Sequence, residues 1–212
     1  MIIPRIAFLS NSRQDIYWDT CLFYEYFGGE KANPQRVSEL NGVMREVEEG
    51  QFRIVTSLVT QLEVIPRRLD GKSAGSAQAF LDAFDDIRMI AVEVSPNVIA
   101  LAREIRDYYY IDEVPPVMSG DKQPMVVKEG QAAKNMDLGD CIHLATAINF
   151  GINTFHTRDG ASKSSRKRKT NIPLLDLAKM DSGKICGKYD LKICEPTPNQ
   201  PSMLDNISKE EE

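Results

Sequence analysis

A chain of 212 residues with a formal net charge of −5 is long enough for one domain with some chain to spare. Hydrophobic residues make up 42% and charged residues 27%, a globular balance that argues against wholesale disorder, and no apolar run approaches the roughly 20 residues of a membrane span. Cys21, Cys141, Cys186 and Cys194 form no CxxC pair, and the start has neither a charged leading region nor a clear cleavage site, so a reduced, soluble, cytoplasmic protein is expected. The charge is uneven. Residues 201–212 contribute −3 and leave the body at −2. Within that body Lys163, Arg166, Lys167, Arg168 and Lys169 follow one another with no acid between them, so local contact with a polyanion stays open despite the acidic average.

In chain order, Ile16-Tyr17-Trp18 reads as a strand ending at Asp19. A helix fills 34–49 and stops near Gly50, and the β-branched segment 52–56 is a strand. Ser57 opens a helix with apolar residues at 58, 62, 65 and 69, which Pro66 should kink or shorten. Residues 74–86 are helical and 87–94 form a strand. Ser95-Pro96 is an N-cap followed by proline at the first helical position, starting a helix through about Tyr109. The stretch 111–135 is irregular, and 137–150 is a strong helix stopped by Gly151. Residues 153–157 and 172–175 read as strands, and Pro196, Pro198 and Pro201 lead into a polar tail expected to be disordered. No period of 20–50 residues repeats. Strands alternating with helices predict an α/β fold with a mostly parallel sheet covered on both faces, whose ligands sit beyond the carboxyl ends of the strands.

Asp19 and Asp159 fall at or just past such ends, where an aspartate is often only a turn former or helix cap. Glu63 lies at the edge of the stripe set by Leu58, Leu62 and Ile65, a place where a solvated flank is the bland reading. Asp140 says more. Leu138, Cys141, Ile142, Ala145 and Ile148 make the main apolar face of its helix, yet Leu144 and Ala147 share the side of Asp140. A carboxylate on a helix so nearly apolar all round should be partly buried, which is costly unless it is paired, hydrogen-bonded or bound to a metal. Were the four acids to converge at the strand ends, a divalent cation would be the usual remedy for their repulsion. Oxygen-only ligands favour Mg²⁺ or Mn²⁺ over zinc, and such ions polarise a phosphodiester and activate water.

Four segments, Tyr17-Trp18-Asp19-Thr20-Cys21, residues 56–64 (TSLVTQLEV), residues 139–147 (GDCIHLATA) and Phe155-His156-Thr157-Arg158-Asp159, resemble the acidic motifs of the PIN-domain ribonuclease family in that family's order. The third resembles the toxin-like (VapC-type) branch in particular, and the resemblance spans roughly residues 15–180. It implies an α/β/α sandwich over 15–195, between an N-terminal extension, 1–14, and the acidic tail, 196–212. It also implies that Asp19, Glu63, Asp140 and Asp159 are catalytic carboxylates holding Mg²⁺ or Mn²⁺, with Thr20 and Thr157 as supporting hydroxyls. The implied activity is metal-dependent endoribonucleolysis on an RNA substrate. An antitoxin protein and a second copy of the chain are the implied partners. The chain departs from small toxins in its N-terminal stretch, its long 111–135 connection and its C-terminal extension.

Other chemistries fare worse. His143 and His156 are too few for most zinc catalytic sites, and His143 on its helix flank reads as a packing or supporting residue. No GxxxxGK[ST], GxGxxG or GxSxG occurs, and a phosphatase needing a second Asp near Asp19 finds Cys21 instead. The run 163–169, just past Asp159, is a candidate phosphate contact, while Tyr108-Tyr109-Tyr110 at a helix end reads more readily as packing than as a base-stacking platform. The alternative of another class is a catalytically silent PIN-fold module that binds nucleic acid or protein.

Overall fold

The computed structural model describes residues 13–28, 33–64, 74–85, 87–111, 134–160, 171–180 and 184–198. Five strands, β1 (Gln14–Trp18), β2 (Phe52–Ser57), β3 (Met89–Val92), β4 (Thr154–His156) and β7 (Lys192–Cys194), form one sheet in the order β3-β2-β1-β4-β7. Every pairing in it is parallel. Two short strands, β5 (Lys184–Ile185) and β6 (Tyr189–Asp190), make a separate antiparallel pair. The helices are α1 (Thr20–Phe27), α2 (Pro34–Glu48), α3 (Val59–Glu63), α4 (Ala74–Asp82), α5 (Pro96–Tyr108), α6 (Leu138–Asn149) and α7 (Leu174–Met180).

Alternation along the strands divides the core into two layers. Ile16, Trp18, Ile54 and Met89 pack with Leu22, Phe23, Leu40, Val43, Val47 and Phe80 from α1, α2 and α4. Tyr17, Val55, Val92 and Phe155 face the other way, onto Val98, Ala102, Ile105, Leu144, Ala145 and Leu177 from α5, α6 and α7. The expected α/β sheet covered by helices on both faces is what the chain builds. Its wiring follows from right-handed crossovers. The chain steps outward from β1 to β2 to β3 through helices on one face. To return past β1 and place β4 on its other side with the same hand, it must cross by α5 and α6 on the opposite face. The direction of winding therefore reverses between β1 and β4, and open α/β sheets usually bind their ligands at such a reversal, beyond the carboxyl ends of the strands.

Most of the elements stand where the sequence puts them, with ends shifted by a few residues. The helix expected from 74 to 86 stops at Asp82, and the strand expected from 87 to 94 runs only from Met89 to Val92. The helix opened by Ser57 is the five-residue α3, capped by Val64, while Pro66 lies outside the described residues. In the irregular stretch, Ile111 and Lys134 form an antiparallel bridge, and 112–133 lie outside. Two corrections are larger. Residues 172–175 are not a strand: Asn171 makes a single bridge to Asn135, and a helix starts at Leu174 directly after Pro173, burying Leu174 and Leu177 on one side. The fifth strand of the sheet is instead β7. The sequence reading also passed over α1, which begins directly after β1 with Asp19 as its N-cap. Residues 1–12 and 199–212 and the basic run 163–169 lie outside the described residues. No helix among the described residues is long and apolar enough to cross a membrane.

Candidate active site

Asp19 and Asp159 follow β1 and β4, the two strands between which the winding reverses, and the ends of those strands are tied: Asp19 N–H donates to the His156 carbonyl at 3.0 Å. Asp19 is buried. Its Oδ1 accepts from Thr20 N–H at 2.7 Å, capping α1, and its Oδ2 accepts from the Thr157 hydroxyl at 2.7 Å and the Cys21 thiol at 3.2 Å. The Thr157 oxygen in turn accepts from Asp159 N–H at 3.0 Å, so one buried hydroxyl couples the two acids. Asp159 also uses its Oδ2 to accept from Leu174 N–H at 3.1 Å, capping α7. Both bland readings of these aspartates, as helix caps, therefore hold alongside any chemistry. Burial, and then the charge of Asp19, push the Cys21 thiol well above its ordinary pKa, which keeps it a thiol rather than a nucleophile.

Asp140 occupies the first turn of α6, behind the N-cap Asp137. It is half-buried, as the sequence predicts, though for a different reason in detail: Leu138, expected on the apolar face, is exposed. No hydrogen-bond donor among the described residues reaches the Asp140 carboxyl. Burial, then the negative charges of Asp19, Asp159, Asp137 and Glu63, push its pKa up to about 9. Burial is the larger cause, and the neighbouring carboxylates add to it. Arg158, nearly buried, turns to Glu25 at 2.7 Å, Glu39 at 2.7 Å and Glu195 at 3.6 Å.

Glu63 ends α3 and is half-buried rather than a solvated flank; its neighbour Leu62, expected on the apolar stripe, is exposed. Its carbonyl accepts from the Tyr24 hydroxyl, fastening α3 to α1. Its Oε2 accepts from the Thr20 hydroxyl at 2.5 Å and meets His143 Nε2 at 2.9 Å. Burial pushes this carboxyl up, but the hydrogen bonds from His143 and Thr20 and the His143 charge outweigh it and hold the pKa below the ordinary glutamate range. A Cβ on Gly139 would overlap Glu63 Oε1, so the carboxylate lies against the first turn of α6, at the positive end of the helix dipole. Thr157 is thus bonded to Asp19 and Asp159, and Thr20 and His143, the latter read from the sequence as a packing or supporting residue, are bonded to Glu63.

The donor set is oxygen-rich and carries surplus negative charge, the chemistry that suits a hard divalent cation. As they stand, however, no three Asp, Glu, His or Cys side chains among the described residues form a group able to hold a metal ion. The charges of Asp19, Asp159, Asp137 and Glu63 act on Asp140, while the Glu63 carboxylate is bonded to Thr20 and His143.

Scans of protein-family models and of curated proteins find no match to the chain. Among solved structures, the chain is similar to one described as the crystal structure of VapBC2 from Rickettsia felis bound to a DNA fragment from their promoter. That likeness has 12% identity and a TM-score of 0.47, and covers 86% of this chain and 98% of that one.

Proposed function

We propose that this chain is a PIN-like, divalent-metal-dependent endoribonuclease that hydrolyses RNA phosphodiester bonds. The observation that supports the reading is that Asp19 and Asp159 follow the two strands between which the sheet winding reverses, and that burial and then their charge push the pKa of Asp140 up to about 9. Asp19, Asp140, Asp159 and Glu63 are the residues that would hold Mg²⁺ or Mn²⁺, and the ion would supply polarisation of the phosphate and activation of water. The protein side of the chemistry is positioning. Thr157 fixes Asp19 relative to Asp159, and Thr20 with His143 fixes Glu63. Asp140 must give up its proton for the site to reach full negative charge. Lys163, Arg166, Lys167, Arg168 and Lys169 are assigned to the RNA phosphates, and an antitoxin protein and a second copy of the chain to its partners in the cytoplasm. The nuclease domain is assigned to residues 15–195.

A catalytically silent binding module is the second reading. It is favoured by the hydrogen bonds that occupy Asp159 as a helix cap and hold Glu63 aside. Incubation of the metal-stripped protein with a diverse RNA pool, with Mn²⁺ or with chelator, separates the two. The nuclease reading expects cleavage only with Mn²⁺, abolished in Asp19→Asn and Asp140→Asn while both variants keep their circular-dichroism spectra. No cleavage by the parent, or equal cleavage by the variants, returns the chain to the binding module.

A further inference from the structure

The loop that follows β4 is anchored in two directions. Thr157 and Asp159 serve the rim of the sheet, where the Thr157 hydroxyl donates to Asp19 and the Asp159 carboxylate caps α7. Arg158, between them, serves the helices. Its side chain, 6% exposed, pairs with Glu25 of α1 and Glu39 of α2, each at 2.7 Å, and with the more exposed Glu195 at 3.6 Å. Glu195 begins the segment 195–198 that leaves β7, and Cys194 just before it accepts from Thr157 N–H at 3.0 Å. Pro196 is buried, and Pro198 rests on α2 at Gly42, where a Cβ would come within 2.8 Å of the proline ring.

Among the described residues, no hydrogen bond joins the backbone of 195–198 to another backbone group, and Pro196 and Pro198 have no N–H to donate. The segment is held by one half-exposed ion pair and by proline contacts, an attachment that can open without unfolding the core. The simplest alternative is an ion cluster around Arg158 that adds only to overall stability. It does not explain why α2 carries glycine, the weakest helix former after proline, where Pro198 lies. We propose that residues 195–198 are a releasable strap that fixes the Thr157–Asp159 loop through Arg158. With the strap on α2 the loop is rigid; with the strap off, the loop is free to move. The device gives the C-terminal side of the chain a hold on the rim where the sheet winding reverses, and it needs no ion or RNA at that rim.

The test is amide hydrogen exchange of the full chain, followed by two-dimensional NMR, in the parent, Gly42→Ala and Glu195→Gln. Gly42→Ala favours the helix but drives a methyl into Pro198. Glu195→Gln removes one charge and leaves Glu25 and Glu39 on Arg158, so it decides the matter if Gly42→Ala fails to fold. Backbone order parameters at Glu195 and Thr197 report on the strap. Exchange at the Thr157, Arg158, Asp159 and Leu174 amides reports on the loop and its cap, and exchange at Ile54 and Leu144 on the core. Both variants should loosen the strap and leave the core amides unchanged. Loop exchange should speed up about threefold in Glu195→Gln, as for a half-exposed ion pair, and roughly tenfold or more in Gly42→Ala. A strap that loosens while the loop stays protected, equal acceleration in loop and core, or a strap undisturbed by both variants overturns the latch.

Discussion

Asp140→Asn should stabilise the metal-free protein, by an amount that grows with pH. The Asp140 carboxyl is pushed from an ordinary 3.8 up to about 9 in the fold, burial being the larger cause and the neighbouring carboxylates the next. Between those two values the native state holds a proton that the unfolded chain has lost, so stability attributable to this group falls as pH rises from about 4 through about 9. At pH 7 the native group is still protonated and the unfolded one is not. The penalty is then set by the distance of pH 7 from the unfolded value, and at about 1.4 kcal/mol per pH unit it amounts to roughly 4 kcal/mol at most. Asparagine keeps the shape of the side chain and has nothing to ionise. Urea melts of parent and variant in chelator, from pH 4 to pH 9, measure the difference, in which the titrations common to both proteins cancel. The two should coincide near pH 4, the variant should gain steadily above it, and the gain should level off near pH 9. A difference that stays flat across this range, or a variant less stable at pH 7, refutes the raised pKa of Asp140.

Three further outcomes follow from the same geometry. Burial, with Lys192 adding to it, pushes the His156 pKa down to about 4, so the native state refuses a proton that the unfolded chain takes up below about 6.5. Stability should therefore fall as pH drops from about 6.5 to about 4, by up to roughly 3 kcal/mol, and a His156→Gln variant should lose that slope in acid titrations monitored by fluorescence. Arg158→Met leaves Glu25, Glu39 and Glu195 without their shared cation and should cost about 3 kcal/mol in urea melts, whereas a loss under about 1 kcal/mol would class the cluster as surface pairing. Replacing Arg166, Lys167 and Arg168 with glutamine should weaken RNA binding across all sequences and shrink the salt slope by roughly 0.7 per lost contact, an unchanged slope returning these residues to a solvated loop.

Four of the five strands of the sheet were legible because they obey local rules. An apolar run followed by Asp marks β1 and Asp19, and Ser95-Pro96 marks the start of α5 with a cap and a proline that the structure uses as such. Helix α1 was missed because its sequence, TCLFYEYF, is aromatic and apolar on nearly every side and shows no helical period. Residues 172–175 resembled a strand because a short apolar run is ambiguous between strand and helix. Pro173 directly ahead of Leu174, with Leu177 one turn on, was the available signal for α7. Strands β5, β6 and β7 are two or three residues long, too short for alternation to register. At the site, Asp140 announced itself as a charge on an apolar helix. The links from Tyr17 to His143 to Glu63 did not, because pairings across 126 and 80 residues leave no trace in local pattern. The one hint was the position of His143 three residues after Asp140 on the same helix.

Calorimetric titration of Mn²⁺ into the metal-stripped parent at pH 7, repeated in two buffers of different ionisation heat, tests the convergence of these acids on a cation most directly. Asp140 holds its proton at that pH with a pKa of about 9, so the cation must displace it. Binding should release about one proton per Mn²⁺, and Asp140→Asn should lose both the binding and the release. Mn²⁺ binding with no proton released, or an Asp140→Asn variant that binds as tightly as the parent, would contradict the four-acid site.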